Sequence, residues 1–180
     1  DAGEARRYWE MAAEYPEYFY GLLARERLGR PLPAFGTAPA AQPTAEQRAA
    51  FRNNPLALAV RELARGRTDW RTERYFFTQL ADWAQDAAEM QLVAELAQEL
   101  RLPELAVVIG RAAPEKGIAG FERVGFPVVD QPAGTDFTIV HAIARQESEF
   151  DQDRVSHAGA RGLMQLMPGT AREQAGMLSM

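Results

Sequence analysis

Ala142-Ile143-Ala144-Arg145-Gln146-Glu147-Ser148-Glu149-Phe150, running on into Ser156-His157-Ala158-Gly159-Ala160-Arg161-Gly162-Leu163-Met164-Gln165-Leu166-Met167-Pro168, is the stretch around which the chain is organised. Just upstream, Thr135 and Asp136 follow Gly134 and offer side-chain oxygens that can cap a helix start. From there Phe137, Val140, Ile143 and Ala144 fall at helical rather than strand spacing. One further step reaches Glu147, which at about 100° per residue lies near the middle of the apolar stripe. The bland reading is a surface carboxylate at a fraying helix end. The sharper one follows from position: a partly buried carboxyl has its pKa raised and stays protonated near neutral pH, as a general acid requires.

The residues that follow agree with the sharper reading. Gly159, Ala160 and Gly162 are small, so the backbone can turn tightly there or approach another molecule closely. Leu163 to Met167 set one polar residue, Gln165, among apolar neighbours, and Pro168 suits the first turn of a new helix through Thr170, Ala171 and Gln174. A groove floor with one side-chain amide can hold a sugar, whereas Met and Leu runs alone read as core.

Composition narrows the class. The 180 residues, 47% hydrophobic and 25% charged, suit one domain or two small ones. A net charge of −5 gives no electrostatic case for nucleic acid or an anionic membrane surface. With no cysteine and only His141 and His157, disulfides and histidine clusters are excluded, so neither metal nor other cofactor is expected. By the same angular count His141 falls on the polar side of its helix and reads as solvated. No apolar run approaches a membrane span and no signal peptide opens the chain, so it reads as a mature or excised segment.

Upstream the pattern is helical throughout, and the expected fold class is all-α. Residues 4 to 29 read as one or two helices interrupted at Tyr15-Pro16, with Tyr8, Trp9, Tyr18, Phe19, Leu22 and Leu23 as core rather than a sugar platform. Residues 30 to 43 hold Pro31, Pro33, Pro39 and Pro43 and read as a linker. Thr44 starts a helix to about Asn53, and a second runs from Leu56 to Gly66. Thr68-Asp69 cap a third through Trp83, a fourth spans about Asp86 to Leu100, and a fifth runs from Glu104 to about Ala112, closed by Pro114 and Gly117. Short turns between short helices suggest antiparallel pairs. Lys116, the only lysine, reads as compositional habit, and no paired-carboxylate motif occurs in this half, which looks structural. The expected domains are 1–43, 44–118 and 119–180.

Ala144-Arg145-Gln146-Glu147-Ser148-x-Phe150, followed by Ser156-x-Ala158-Gly159-Ala160-x-Gly162-Leu163-Met164-Gln165-Leu166-Met167-Pro168-x-Thr170-Ala171, resembles the catalytic signature of the soluble lytic murein transglycosylases. Those enzymes carry a lysozyme-like catalytic domain on a superhelical array of α-helices. Tyr15 to Ala24 is similar to a segment near the end of that array, and Phe126-Pro127 stands where the family often has Tyr-Pro.

The resemblance implies that Glu147 is the single acid and base. It would protonate the glycosidic oxygen between N-acetylmuramic acid and N-acetylglucosamine, then deprotonate the muramoyl C6 hydroxyl, which closes on C1 as a 1,6-anhydro end. Glycosidases ordinarily need a second carboxylate. Glu149 lies about 200° round the helix from Glu147 and is a poor partner, so a substrate-assisted route through the N-acetyl group fits. By the same resemblance Ser148 orients the acid or contacts the sugar, and Gln165 and Met167 line the substrate groove. The implied partner is peptidoglycan, and the implied compartment is the periplasm of a Gram-negative bacterium, in reach of the outer membrane. The family's catalytic domain continues past the Met-Pro-x-Thr-Ala helix, so the chain to Met180 is expected to hold the catalytic Glu without a complete site. The alternatives are a muramidase that uses water as acceptor and a helical module that binds peptidoglycan or a partner without catalysis.

Overall fold

A computed structural model of the chain describes residues 2–16, 18–32, 42–66 and 69–178. Most of the Pro-rich stretch, including Pro33 and Pro39, lies outside the described residues, as does Thr68 of the expected third cap. Among the described residues there are nine α-helices and no strand. They fall into two compact units, one within residues 1–36 and the other within residues 37–180.

The first unit pairs α1 (Ala2–Ala12) with α2 (Phe19–Arg27). Tyr15-Pro16 separates them as expected, and Gly21 is buried where a Cβ would run into the Tyr15 carbonyl. Arg25 bridges the pair: Nη1 donates to the Ala13 carbonyl at 3.0 Å, while Nε and Nη2 donate to the Pro31 carbonyl. The expected aromatic core is not there. Tyr8, Trp9, Tyr18 and Phe19 are all exposed, and the buried residues are Ala13, Gly21 and Ala24. Two helices of 11 and 9 residues meeting along small side chains offer no second apolar layer for the rings to enter.

The second unit begins with α3 (Ala45–Arg52), α4 (Pro55–Gly66), α5 (Trp70–Trp83), α6 (Ala87–Leu100) and α7 (Pro103–Glu115). Local chemistry sets these starts. Thr44 and Gln47 form a reciprocal capping box on α3, the Asn54 carboxamide oxygen accepts from the first amides of α4, and Asp86 accepts from the Glu89 amide on α6. α4 packs on α5, α5 on α7, and α6 on α7, around a core that includes Phe51, Val60, Phe77, Leu80, Met90, Leu96, Ile109 and Phe121. Arg48 grips Glu95 with both guanidinium nitrogens and joins α3 to α6. Lys116 donates to the Ala81, Asp82 and Ala84 carbonyls at the end of α5, a cation at the negative end of a helix. The sole lysine is therefore structural.

Pro114 lies in the last turn of α7, which ends one residue later at Glu115, and Gly117 at φ +71° follows that end as the expected stop. A proline inside a helix deprives the carbonyl four residues back of its donor and crowds it. Here that residue is Gly110, whose bare Cα lies against Gly125 of the following segment. Residues 119–136 carry no helix and lead to α8 (Phe137–Glu147), and α9 (Pro168–Met177) follows a turn-rich segment. Among the described residues neither α8 nor α9 runs alongside another helix, and α8 meets the helical core through Ala144, which shares a small apolar cluster with Val107 of α7 and Phe150.

Candidate active site around Glu147

Asp136 caps α8 by accepting from the Ile139 amide at 2.9 Å, as the sequence predicts. The stripe behind it is not the buried one. Phe137 and Ile143 are exposed and Val140 is only half-buried, whereas Ala144 is fully buried. Glu147, the last residue of α8, is exposed too, and its carboxylate has no hydrogen bond or ion pair among the described residues. The partial burial expected from the periodicity is absent, because α8 has no helix laid along that stripe to complete the environment.

The chain turns sharply beyond Glu147. Ser148 is fully buried, its hydroxyl 3.0 Å from the Ala144 carbonyl and 2.9 Å from the Leu163 carbonyl. A buried hydroxyl so placed can orient the helix end, but it has no surface with which to touch a sugar. Glu149 and Phe150 then both adopt positive φ, +56° and +69°. For residues other than glycine this costs on the order of 1 kcal/mol each. Several contacts offset it. Phe150 is buried against Val107 and Ala144, and the amides of Ser148 and Phe150 both donate to the Ala144 carbonyl. Glu149, which helical geometry would turn away, swings into the protein: Oε1 accepts from Arg111 on α7 at 2.5 Å and Oε2 accepts from Arg74 on α5. Burial pushes the Glu149 carboxyl up, but the two guanidiniums outweigh it and hold the group below the usual carboxylate range.

Residues 151–167 form a compact lattice of turns. The Gly162 amide donates to the Arg154 carbonyl, Ser156 and Ala160 bond to each other, and Arg161 and Leu166 exchange two backbone hydrogen bonds. Gly159 at φ +88° and Gly162 at φ +71° occupy conformations that side chains disfavour, so the tight turns expected there are present. Gln165, itself at φ +46°, spends its amide nitrogen on the Gly162 and Arg154 carbonyls. Its Nε2 is thus tied into the turn rather than free for a ligand. Met167 is exposed and caps α9 through its backbone only. Glu147, Ser148, Gln165 and Met167 thus share one segment, with Glu147 and Met167 presented outward and Ser148 and Gln165 turned in to hold it.

His141 is not solvated. Its Nε2 accepts from the Val129 amide at 3.1 Å, its Nδ1 lies 2.9 Å from the Phe137 carbonyl, and the ring stacks on Phe137. Together with Arg145, which donates to the Gly125 carbonyl and lies over the Phe126 ring, it fastens α8 to residues 119–136.

The fold also assembles a carboxylate cluster invisible in the sequence. Glu73, Glu104, Asp151 and Asp153 line a cavity of about 600 Å³ with Trp70 and Arg154, and Glu147 does not border it. Burial pushes Glu73, Glu104 and Asp151 above the ordinary carboxylate range, Glu104 to about 7, and mutual repulsion adds to the effect on Glu73 and Glu104. These residues come from α5, α7 and the loop after α8, so no local spacing announces them.

Residues 130–180 match the transglycosylase SLT domain family. The chain is also similar to solved structures. An inactive variant of the lytic transglycosylase Slt from Pseudomonas aeruginosa aligns over 98% of this chain at 26% identity with a TM-score of 0.67. The 70 kDa soluble lytic transglycosylase of Escherichia coli aligns over 99% at 24% identity with a TM-score of 0.61. A 70-kDa soluble lytic transglycosylase in complex with bulgecin A aligns over 99% at 25% identity with a TM-score of 0.66. The chain spans 29% of the length of each.

Proposed function

We propose that the chain is part of a lytic transglycosylase acting on peptidoglycan, a reading supported by the match of residues 130–180 to the transglycosylase SLT domain family. The bond cleaved is the β-1,4 link from N-acetylmuramic acid to N-acetylglucosamine. What carries the reading is that Glu147 lies within the matched residues 130–180 and presents an unpaired carboxyl from a helix end whose next three residues are partly or fully buried. Glu147 protonates the leaving oxygen and then takes the proton of the muramoyl C6 hydroxyl, which closes on C1 to give a 1,6-anhydro end. A glycosidase with a protein nucleophile needs a second carboxylate facing the first. Glu149 is occupied by Arg74 and Arg111, and Asp151 is buried at the acidic cavity. This supports a route in which the substrate's own N-acetyl group assists. With Glu147 in the open, the exclusion of water that proton transfer needs falls to the bound glycan and to whatever covers α8.

Met167 contacts the glycan on the outer face, while Ser148 and Gln165 serve by holding the backbone. A peptidoglycan substrate would suit an activity in the periplasm. No helix among the described residues is long and apolar enough to cross a membrane.

The test is digestion of purified murein sacculi by the full-length enzyme of which this chain is proposed to be part and by its Glu147→Gln variant, with mass spectrometry of the released muropeptides. Anhydromuropeptides from the parent and none from the variant are expected. Ordinary reducing ends would replace the reading with a water-using muramidase. Release of nothing by the parent, with retention on sacculi, would replace it with a binding module.

A further inference from the structure

We propose that Glu149 is a positioning residue, clamped by Arg74 and Arg111 so that helices α5 and α7 fix the direction in which α8 delivers the Glu147 carboxyl. The last step, from helix end to catalysis, rests on the role given above to Glu147; the clamp itself does not.

Among the described residues α8 runs alongside no other helix, so its place is set by contacts at a few residues, Ala144 in the apolar cluster with Val107 of α7 among them. At its C-terminal end these are Ser148 to Leu163, Phe150 in the apolar cluster with Val107, and Glu149 between two arginines. Only Glu149 reaches the packed helices by ion pairs, and it reaches two at once, from 75 and 38 positions away. Its side chain is 12% exposed, so solvent screens its pair with Arg74 less than its pair with the half-exposed Arg111. Glu149 and Phe150 hold a left-handed backbone that neither residue type favours, which shows that the surroundings impose the turn. The Phe150 amide, on the far side of Glu149, returns to the Ala144 carbonyl at 3.3 Å and closes that turn under Glu147. Release of Glu149 frees this closure, and a shift of about 1 Å at a reacting group costs roughly 10²-fold in rate.

Hydrogen–deuterium exchange resolves the idea in the whole chain, whether or not the chain turns over substrate. In Glu149→Gln the amides of Ser148 and Phe150 are expected to exchange at least tenfold faster, while those of Val93 and Leu96 in α6 keep their rates. Arg111→Gln, a milder cut at a half-exposed side chain, is expected to move the same two amides. The double variant is expected to exchange no faster than Glu149→Gln alone. With sacculi as substrate, Glu149→Gln lowers kcat and leaves KM unchanged. Exchange at Ser148 and Phe150 within twofold of the parent would overturn the proposal. So would an equal rise through α6 and α7, which would make Glu149 a general stabiliser. Loss of protection at Ser148 and Phe150 together with unchanged products from Glu147→Gln would leave the clamp standing and remove the catalytic reading.

Discussion

The buried Ser148 hydroxyl stands 2.9 Å from the Leu163 carbonyl, joining the end of α8 to the turn lattice fifteen positions on. It stands 3.0 Å from the Ala144 carbonyl as well, so one small group closes the helix and docks the loop. In Ser148→Ala both carbonyls lose that donor while apolar packing is nearly preserved. The expected loss is about 1–2 kcal/mol, read as a lower midpoint in urea. No change in midpoint would show that the hydroxyl is dispensable and the loop holds itself.

Lys116 offers a comparable test away from the site. Its ammonium meets three carbonyls at the C-terminal end of α5. Lys116→Met keeps most of the aliphatic stem and removes the donors, and is expected to destabilise the second unit by about 1–2 kcal/mol. Thermal unfolding measures it, and an unchanged midpoint would mean water replaces the ammonium at no cost.

What the sequence disclosed, and what it withheld, divides along one physical line. Thr44, Asn54-Pro55, Asp86 and Asp136 act on backbone groups within a few residues, so the starts of α3, α4, α6 and α8 could be read directly. Pro114 lies in the last turn of α7, one residue before its end, and Gly117 at φ +71° supplies the stop, so the end was legible to within a few residues. Periodicity placed Glu147 on the apolar side of α8, but a stripe is buried only when something lies on it, and Phe137 and Ile143 are exposed. His141 stood on the polar face and was taken up by Val129, which no helical count can foresee. Glu149 was set aside by its angle round α8, yet helical geometry ends at Glu147 and the left-handed turn redirects it to Arg74 and Arg111. The motif residues were legible; the partners that hold them were not.

The acidic cavity predicts a pH dependence with a definite sign. Burial, the larger cause, and then repulsion by Asp151, Glu73 and Asp153 raise Glu104 from 4.5 to about 7, while Arg74 and Arg154 also line the cavity. A carboxyl raised in the folded state keeps its proton there after the unfolded chain has lost its own. Its contribution is therefore fully present below about pH 4.5 and is lost as pH rises to about 7. Glu104→Gln removes this dependence and is expected to stabilise the chain at pH 8 relative to the parent, by roughly 3 kcal/mol at most. Chemical denaturation at pH 4.5 and pH 8 measures it, and a benefit equal at both values would assign the gain to packing.

Gly110 gives the prediction that opposes intuition. Glycine inside a helix ordinarily costs about 1 kcal/mol relative to alanine, so Gly110→Ala would stabilise an isolated α7. In the folded chain Gly110 and Gly125 face each other Cα to Cα, and a Cβ on Gly125 would already stand 2.9 Å from the Gly110 Cα. Neither side can yield cheaply. The Gly125 carbonyl is held by Arg145 of α8, and α7 is fixed by Leu105, Val108, Ile109 and Ala112 in the core. Overpacking of this kind costs about 1–3 kcal/mol, which outweighs the propensity gain. Gly110→Ala is therefore expected to lower the unfolding midpoint and, because the displaced segment carries the acceptor for Arg145, to speed amide exchange in α8 more than in α6. A raised midpoint would mean that the segment from Phe121 to Phe126 gives way freely, and that its contact with α7 has no part in placing α8.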